Sequence, residues 1–308
     1  MQRRSNWQAL DGVLLLDKPG GMTSNTALQK VRRLFNAAKA GHTGTLDPMA
    51  TGLLPLAFGE ATKFSQMLLD ADKVYEARVS LGVETDTGDA DGQQIASAPV
   101  AVDREGIVAA LKRFEGEIEQ IPPMYSALKL NGKALYEYAR AGIEVERAPR
   151  RVCMHALELL DAGPDWFVMR VHCSKGTYVR TLAIDIGRVL GCGAHLAALR
   201  RTAIAEFDVG QATPLEVLES EAPGQRMAHL CPADTLVAHL ERRELSAEQA
   251  DAMLQGRTIA TTETTTGLVR IYGAEGRFLG LGERFPGKGL SPKRLIATGA
   301  TMNLRGSD

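Results

Sequence analysis

Cysteines, long apolar runs and familiar site motifs are scarce in this chain of 308 residues, and each scarcity excludes a class of protein. The four cysteines, at positions 153, 173, 192 and 231, form no Cys-x-x-Cys pair. This spacing argues against a disulfide framework and a cysteine zinc site, so we expect reduced, buried cysteines. No apolar run approaches the roughly 20 residues of a membrane-spanning helix, and the N-terminal stretch MQRRSNWQALDG lacks an apolar segment of signal-peptide length. We therefore expect a cytoplasmic protein that does not bind a membrane.

Three common site signatures are also missing from the sequence. No Gly-Lys-Ser or Gly-Lys-Thr tripeptide occurs, which excludes a phosphate loop for nucleoside triphosphates. No Gly-x-Ser-x-Gly elbow occurs, so a serine hydrolase has no support. Cys192 and His195, which are three positions apart, have no partner pair at ligand spacing. We expect neither a metal nor another cofactor.

The composition is that of a globular protein with an uneven charge distribution. Hydrophobic residues make up 44% of the chain and charged residues 24%, and the length suggests one large domain with a smaller one. The net charge is only −1, yet residues 1–40 carry seven basic and two acidic side chains. Further basic clusters surround Pro149 and occupy residues 199–204, LRRTAI. Such clusters can contact phosphates, although a solvated surface is their commoner role.

Hydrophobic periodicity predicts a mixture of helices and strands. The stretch KVYEARVSLG alternates, which places Tyr75 on the inward side of a strand. A later strand breaks at Lys175 and Gly176 and continues as a helix, so Tyr178 and Arg180 lie at a strand-to-helix junction. Strands are predicted at residues 12–19, 73–82, 150–163 and 165–173, and helices at 23–35, 60–72, 104–116, 133–142 and 177–191.

The sequence pattern of the chain changes between Pro232 and Ser246. A predicted helix at residues 246–259 precedes two strands joined by a tight AEGR turn. We therefore expect a separate, small β-rich unit at residues 246–308. Basic side chains occur along it, at Arg270, Arg277, Arg284, Lys288, Lys293 and Arg294.

One short segment, GHTGTLDPMATG at residues 41–52, stands out as a candidate site. Glycine and Asp-Pro stop both helix and strand, so the segment is an ordered turn that presents His42 and Asp47, or else a flexible tether. The helix before it begins at a cap residue, Thr23 or Ser24. A lone aspartate in a polar turn is more often a turn former than a functional group, so this segment alone leaves both roles open.

Five stretches together resemble the TruB family, the tRNA pseudouridine-55 synthases. They lie in the family's order between about residues 12 and 200, and they are GVLLLDKPGGMTSNTALQKVRR, GHTGTLDPMATGLLPLAFGEATK, KVYEARVSLGVETDTGDADG, QIPPMYSALKLNGKALYEYARAG and CSKGTYVRTLAIDIG. The resemblance implies an α+β fold. Residues 1–240 would form a pseudouridine synthase catalytic domain with a mixed, largely antiparallel sheet, and residues 246–308 a PUA-like β-barrel that contacts RNA.

The resemblance also implies the role of each candidate residue. Asp47 would be the catalytic carboxylate, and Arg180 would pair with it and keep it ionised. Lys18 and Lys63 match basic positions of the family's motifs and would have supporting or structural roles.

Four further positions would surround the substrate base. Tyr75 would stack on the target uracil, and Tyr178 would lie against the same base. Leu199 would form part of the apolar wall, and His42 would sit at the mouth and fill the space that the base leaves in the RNA.

The implied activity is the isomerisation of uridine to pseudouridine at position 55 in the T loop of tRNA. A uracil inside a folded loop must be flipped into a pocket before chemistry can occur. The carboxylate could attack C1′ of the ribose, add to C6 of the base or abstract a ribose proton, and the sequence leaves all three open. Compared with related enzymes that use guide RNAs, the chain resembles the stand-alone bacterial type. We therefore expect a monomer without an obligatory protein partner.

Two alternatives come from other classes of protein. The first is an RNA-binding or RNA-folding protein whose pocket is secondary or lost; an intact set of Asp47, Tyr75 and Arg180 favours an enzyme instead. The second is an aspartate-dependent glycoside or nucleoside hydrolase, which would need a second acid. The loop ETDTGDADG could supply one, at Asp86 or Asp89.

Overall fold

The computed structural model describes residues 7–261 and 264–297. This part of the chain contains eighteen strands and eight α-helices. The strands are β1 Gly12–Lys18, β2 Ala40–His42, β3 Thr51–Phe58, β4 Lys73–Leu81, β5 Val83–Thr85, β6 Gln94–Ser97, β7 Gly116–Gln120, β8 Lys129–Leu130, β9 Lys133–Ala134, β10 Arg150–Ala162, β11 Trp166–Cys173, β12 Ala194–Ile204, β13 Phe207–Asp208, β14 Thr213–Pro214, β15 Arg242–Glu244, β16 Gly267–Tyr272, β17 Phe278–Phe285 and β18 Gly289–Leu295. The helices are α1 Ser24–Leu34, α2 Ser65–Leu69, α3 Arg104–Lys112, α4 Leu135–Arg140, α5 Val179–Leu190, α6 Leu215–Ser220, α7 Pro223–Arg226 and α8 Ala247–Leu254.

A ten-stranded sheet forms the body of the larger unit. Its main path runs β14-β1-β3-β12-β4-β11-β10-β7, with β2 paired to β3 and β13 paired to β12. Only the β1–β14 and β3–β12 pairs are parallel; the other pairs of this sheet are antiparallel. The predicted mixed, largely antiparallel sheet is therefore confirmed.

Strands β1 and β3 are buried on both faces, which explains their continuous apolar sequences. In β1, Leu14 and Leu16 pack into the core on one face, whereas Val13 and Leu15 pack into a second core on the other face. The first core also receives buried side chains from α1, α3 and α5.

A second, four-stranded sheet of order β15-β16-β17-β18 lies in the C-terminal part of the chain. With α8 it encloses a core of its own, which includes Met253, Ile271 and Leu279. The sheet also packs on the larger unit, because Leu281 joins the second core of that unit and the Phe64 and Phe278 rings lie 5.4 Å apart. In residues 7–261 and 264–297, no helix has the length and apolar character needed to cross a bilayer.

The structure corrects three of the sequence predictions. The single helix predicted at residues 60–72 is a 3₁₀ helix, Gly59–Phe64, followed by the short α2. The strand β12 was not predicted, although it lies in the middle of the sheet. All four cysteines are free, as predicted, but only Cys173 and Cys192 are buried, while Cys153 and Cys231 are half-buried.

Candidate active site

The segment at residues 41–52 is an ordered turn that the preceding helix holds in place. Thr23 caps α1 by accepting a hydrogen bond from the Thr26 amide, which leaves the Ser24 hydroxyl for another task. That hydroxyl accepts a bond of 2.8 Å from the Leu46 amide and donates one of 3.1 Å to the Leu46 carbonyl. A second clamp joins the Gly21 amide to the Pro48 carbonyl at 2.9 Å. The turn therefore holds its aspartate at a defined position.

Asp47 and Arg180 form a two-point ion pair at the end of this turn. Arg180 Nε lies 2.9 Å from Asp47 Oδ2, and Arg180 Nη2 donates to Asp47 Oδ1 at 3.1 Å. The arginine side chain is only 4% exposed, whereas the aspartate side chain is 33% exposed. The Nη2 contact is a hydrogen bond, whereas the Nε contact is an ion-pair contact without hydrogen-bond direction. The pair therefore fixes the position of the carboxylate as well as its charge.

Other partners fix the Arg180 guanidinium from behind. Nη2 donates to the Tyr125 carbonyl at 2.7 Å, and Nη1 donates to the Thr87 carbonyl at 3.2 Å. Nη1 also lies 3.5 Å from a carboxylate oxygen of Asp89, which is 8% exposed. Arg180 thus contacts two carboxylates, of which only Asp47 lines the pocket.

The pKa of Asp47 is raised above its ordinary value. Removal from water is the largest cause, the charge of Arg180 opposes it, and the negative charge of Asp89 adds to it. The resemblance implied that the arginine would keep Asp47 ionised, and its charge offsets only part of the desolvation. Because the folded protein holds this proton more tightly than the unfolded chain, the group favours folding at low pH. That contribution is lost as the pH rises through the folded-state pKa.

A pocket of about 330 Å³ surrounds the exposed side of Asp47. Its volume lies at the lower end of the range for small-ligand sites, roughly 300–1,000 Å³. Five of the six predicted site residues line it together, namely Asp47, Tyr75, Tyr178, Arg180 and Leu199. His42 does not line it; this residue is half-buried at the end of β2, five residues before the aspartate.

Two neighbouring strands supply the apolar and aromatic walls of the pocket. Tyr75 on β4 is 9% exposed and Leu199 on β12 is 8% exposed, so both point inward, as the alternation in β4 predicted for the tyrosine. The fully buried Arg201 guanidinium faces the Tyr75 hydroxyl. Burial raises the pKa of Tyr75 and the arginine charge lowers it in part. The tyrosine is therefore a neutral phenol at physiological pH.

Tyr178 lies where the sequence predicts, at the junction that begins α5. The buried side chain of Gln120 forms two hydrogen bonds with the Tyr178 backbone. The Tyr178 amide donates to Gln120 Oε1 at 3.1 Å, and Gln120 Nε2 donates to the Tyr178 carbonyl at 3.4 Å. The guanidinium carbon of Arg150 lies 5.7 Å from the tyrosine ring centroid. The ring therefore belongs to a fixed part of the wall.

Two buried lysines belong to this region, of which Lys73 lines the pocket and Lys18 does not. Lys18 is fully buried and donates to the carbonyl oxygens of Pro19, Met22 and Pro48. Burial lowers its pKa to about 8, and the nearby Asp47 charge opposes this shift. Lys73 likewise donates to three carbonyls at the end of α2, and burial lowers its pKa to about 8. Both lysines tie backbone segments together, which for Lys18 agrees with the supporting role expected.

Comparisons with known proteins identify the family. A model of the TruB family pseudouridylate synthase N-terminal domain matches residues 32–179, and two models of TruB C-terminal domains match residues 180–238 and 243–296. Two proteins named tRNA pseudouridine synthase B, from Aromatoleum aromaticum and Azoarcus sp., are 65% and 63% identical to the chain. Each alignment covers 97% of this chain, and 97% and 99% of the respective relatives. The chain belongs to the TruB family.

Solved structures agree with the TruB assignment. The chain is similar to one in the crystal structure of a Cbf5-Nop10-Gar1 complex, with a TM-score of 0.71 and 27% identity over 96% of this chain and 87% of the other. The predicted fold class is confirmed: an α+β pseudouridine synthase fold with a separate small β-rich, PUA-like unit. The predicted enzyme class is confirmed as well, since the family consists of pseudouridylate synthases, which are isomerases.

Sequence reasoning missed several side chains of this TruB-family site. Arg201 was counted in a basic cluster that could contact phosphates, and this is wrong because it is 1% exposed and donates to the Leu53 carbonyl. Its neighbour Arg200 forms an ion pair of 2.7 Å with Asp17. Gln120 was also missed. The alternation of Leu199 and Arg201 with outward-facing Arg200 is a β-strand signal that could have revealed the buried arginine.

Proposed function

We propose that this enzyme converts uridine 55 in the T loop of tRNA to pseudouridine, with Asp47 as the catalytic carboxylate and without a cofactor. The observation that carries the proposal is the two-point ion pair of Asp47 with the buried Arg180, inside a pocket walled by Tyr75, Tyr178 and Leu199. The name of the relatives that are 65% and 63% identical, tRNA pseudouridine synthase B, supports tRNA as the substrate. The names of the relatives support the isomerisation of a tRNA uridine. The position 55 and the catalytic role of the aspartate are our proposal.

The reaction is an isomerisation, so atoms balance without a second reactant. The bond from N1 of uracil to C1′ of the ribose breaks, the base turns, and a bond from C5 to C1′ forms. The proton on C5 is lost and N1 gains one. Asp47 can attack C1′, add to C6 or take a ribose proton, and each role needs an ionised oxygen fixed beside the nucleotide. Arg180 supplies both the orientation and part of the ionisation.

The pocket walls suit a base that has left its stack. A flipped uracil needs flat and apolar surfaces, which Tyr75, Tyr178 and Leu199 offer. Its detachment from the ribose requires that the walls keep it in place while it turns. We propose that His42, outside the pocket lining, contacts the RNA loop from which the nucleotide departs. Recognition then depends mainly on the shape of the T arm, as is usual for structured RNA.

The two structural units suit two separate roles, catalysis and RNA contact. We propose a catalytic domain at residues 1–240 and an RNA-contacting PUA-like domain at 246–308, with β15 joining the sheet of the smaller unit. Within that unit Arg270 and Arg284 are tied to Asp234 and Glu241, so they hold the structure together. Exposed basic side chains can contact phosphates at Arg277 and Lys288, whereas Lys293 pairs with Glu283 at 2.7 Å and Arg294 donates to the Lys63 carbonyl at 3.0 Å. We further propose a cytoplasmic monomer that needs no protein partner.

The decisive test compares Asp47→Asn with the unaltered protein on an unmodified tRNA transcript. The substitution keeps size and shape but removes the ionised oxygen, so we expect no pseudouridine by chemical mapping while tRNA binding persists. Asp86→Asn is the matched control, because this exposed aspartate only accepts a bond from the Gln93 amide and should keep full activity. Near-normal conversion by Asp47→Asn would overturn the catalytic assignment.

The same assay separates the alternatives. A transcript with cytidine at position 55 should yield no product, and mapping of pseudouridine elsewhere would contradict the proposed position. A hydrolase would release free uracil, which chromatography detects; Asp89, the remaining candidate second acid, is instead bound to Arg180. A protein that only folds RNA would bind the transcript without altering it. Dialysis against a chelator should leave activity unchanged, and restoration by a specific metal would refute the cofactor-free chemistry.

A further inference from the structure

A second cluster of reactive side chains lies outside the pocket. Asp72, His155 and His172 place one carboxylate oxygen and two ring nitrogens within 4.8 Å of one another. His155 Nε2 lies 3.1 Å from Asp72 Oδ2, and the two imidazole centroids are 4.8 Å apart at an interplanar angle of 51°. Asp72 and His155 are exposed and His172 is half-buried. In the part of the chain that the structure describes, this is the one such group of three metal-binding side chains.

Three neighbouring strands build this cluster. His155 belongs to β10 and His172 to β11, and Asp72 directly precedes β4, which pairs with the other edge of β11. The β10–β11 register shifts between Met154 and Ala156, so His155 is the extra residue of a β-bulge. A bulge re-aims the side chain it carries, and here it lies directly beside the partner strand's histidine. The framework is therefore hydrogen-bonded sheet rather than loop.

The donor set has the chemistry of a divalent transition-metal site. Imidazole suits zinc, copper, iron and nickel, and zinc sites commonly combine histidine with aspartate at metal–ligand distances of about 2.0–2.2 Å. Ligand atoms around such an ion lie roughly 3 Å apart, which the 3.1 Å contact of His155 with Asp72 already matches. All three ligand atoms already lie within 4.8 Å of one another, and two of the three residues are exposed.

A second contact orients one of the two imidazoles. Cys153 Sγ lies 3.6 Å from His155 Nδ1, on the side of the ring away from Asp72. When Nδ1 carries the proton and donates to the sulfur, Nε2 keeps its lone pair for a metal. Metal-binding histidines generally donate their second N–H to a carboxylate, a backbone carbonyl or water, and here the Cys153 sulfur occupies that place. We propose that Asp72, His155 and His172 bind one Zn²⁺ ion, with water completing its coordination.

This site is separate from the proposed chemistry. None of its three ligands lines the pocket, although their neighbours Lys73 and Ser174 do. Bound zinc would therefore link β10, β11 and the residue before β4 beside the pocket without touching the uracil. The sequence did not reveal the cluster because its members are far apart along the chain and meet only through strand pairing.

The test measures zinc binding directly on the full, metal-free protein. A chromophoric chelator that competes for zinc reports the number of ions and the affinity, and we expect one ion per chain. His155→Ala and His172→Ala should each weaken binding at least about tenfold, since removal of a ligand should cost no less than removal of a group that only orients one. Asp72→Asn, which keeps the shape, is a third variant should either alanine variant misfold. His239→Ala is the matched control, because His239 has one carboxylate neighbour, Glu206, and no second histidine.

The outcomes distinguish the site from incidental binding. One ion lost in the site variants but kept in the control supports the proposal. Binding that is weak and non-stoichiometric, or equally strong in the site variants, overturns it. Replacement of zinc by Co²⁺ adds a second readout, since the visible absorption of bound cobalt should vanish in the same variants. Conversion of tRNA by zinc-free protein should remain normal, so that failure here does not touch the proposed function.

Discussion

Gly52→Ala is predicted to disturb the site from outside the pocket. Gly52 ends the segment that carries Asp47, has a φ of 101°, and pairs with Arg201 of β12 in a parallel register. A Cβ atom added there would lie 2.3 Å from the Arg201 carbonyl oxygen and 2.8 Å from its amide nitrogen. Both are backbone atoms of a central strand, so they cannot rotate away. Only glycine lets β3 approach β12 this closely.

The expected change in the free energy of unfolding combines two destabilising contributions and one stabilising contribution. A left-handed backbone costs about 1–2 kcal/mol for alanine, and overpacking adds about 1–3 kcal/mol. Alanine also lowers the conformational entropy of the unfolded chain, which stabilises the folded protein by about 0.4–1 kcal/mol. We expect a net loss of about 3 kcal/mol in the free energy of unfolding. Gly21→Ala is the matched control, because its φ is 77° and a Cβ there meets nothing within 4 Å; it should lose at most about 1.5 kcal/mol.

The substitution should also slow the reaction. Relief of the 2.3 Å contact to an ordinary distance of 3.4 Å or more requires a shift of about 1 Å between the two strands. Displacement of that size between catalytic groups can cost roughly 100-fold in rate. Urea unfolding followed by tryptophan fluorescence, and single-turnover pseudouridine formation, measure the two effects. Equal losses in Gly52→Ala and Gly21→Ala, or a normal rate in Gly52→Ala, would refute the reasoning.

Four other substitutions probe the ion pair, its support and the smaller unit. Arg180→Lys keeps the charge but not the two-point contact, so the single-turnover rate should fall by about 100-fold with little change in tRNA affinity. Arg180→Met removes a charge that lowers the Asp47 pKa, so the acid limb of the pH–rate profile should move to higher pH; an unmoved limb would contradict the pairing. Lys18→Met leaves buried carbonyls unpaired and should cost about 1–3 kcal/mol in urea unfolding. Leu281→Ala should cost about 2–5 kcal/mol, yet folded protein should still modify an isolated T-arm hairpin; failure would show that the smaller unit completes the site.

Local sequence patterns determined a good part of this protein. Alternation was enough to turn Tyr75 inward, because a strand sends successive side chains to opposite faces. The Lys-Gly break placed Tyr178 and Arg180 at a strand-to-helix junction, and glycine with Asp-Pro marked the turn that presents Asp47. Each of these features depends only on residues near it along the chain. The family motifs added the fold class, the enzyme class and the candidate residues.

Only the tertiary structure decided how these pieces meet. Asp47 and Arg180 are 133 residues apart along the chain, and the structure brings them to 2.9 Å. Arg201 looked like a surface cation until β12 proved to lie in the middle of the sheet, where burial directs it to Tyr75. Strand order and register set such contacts, and they arise from the packing of the whole core, which no local periodicity encodes.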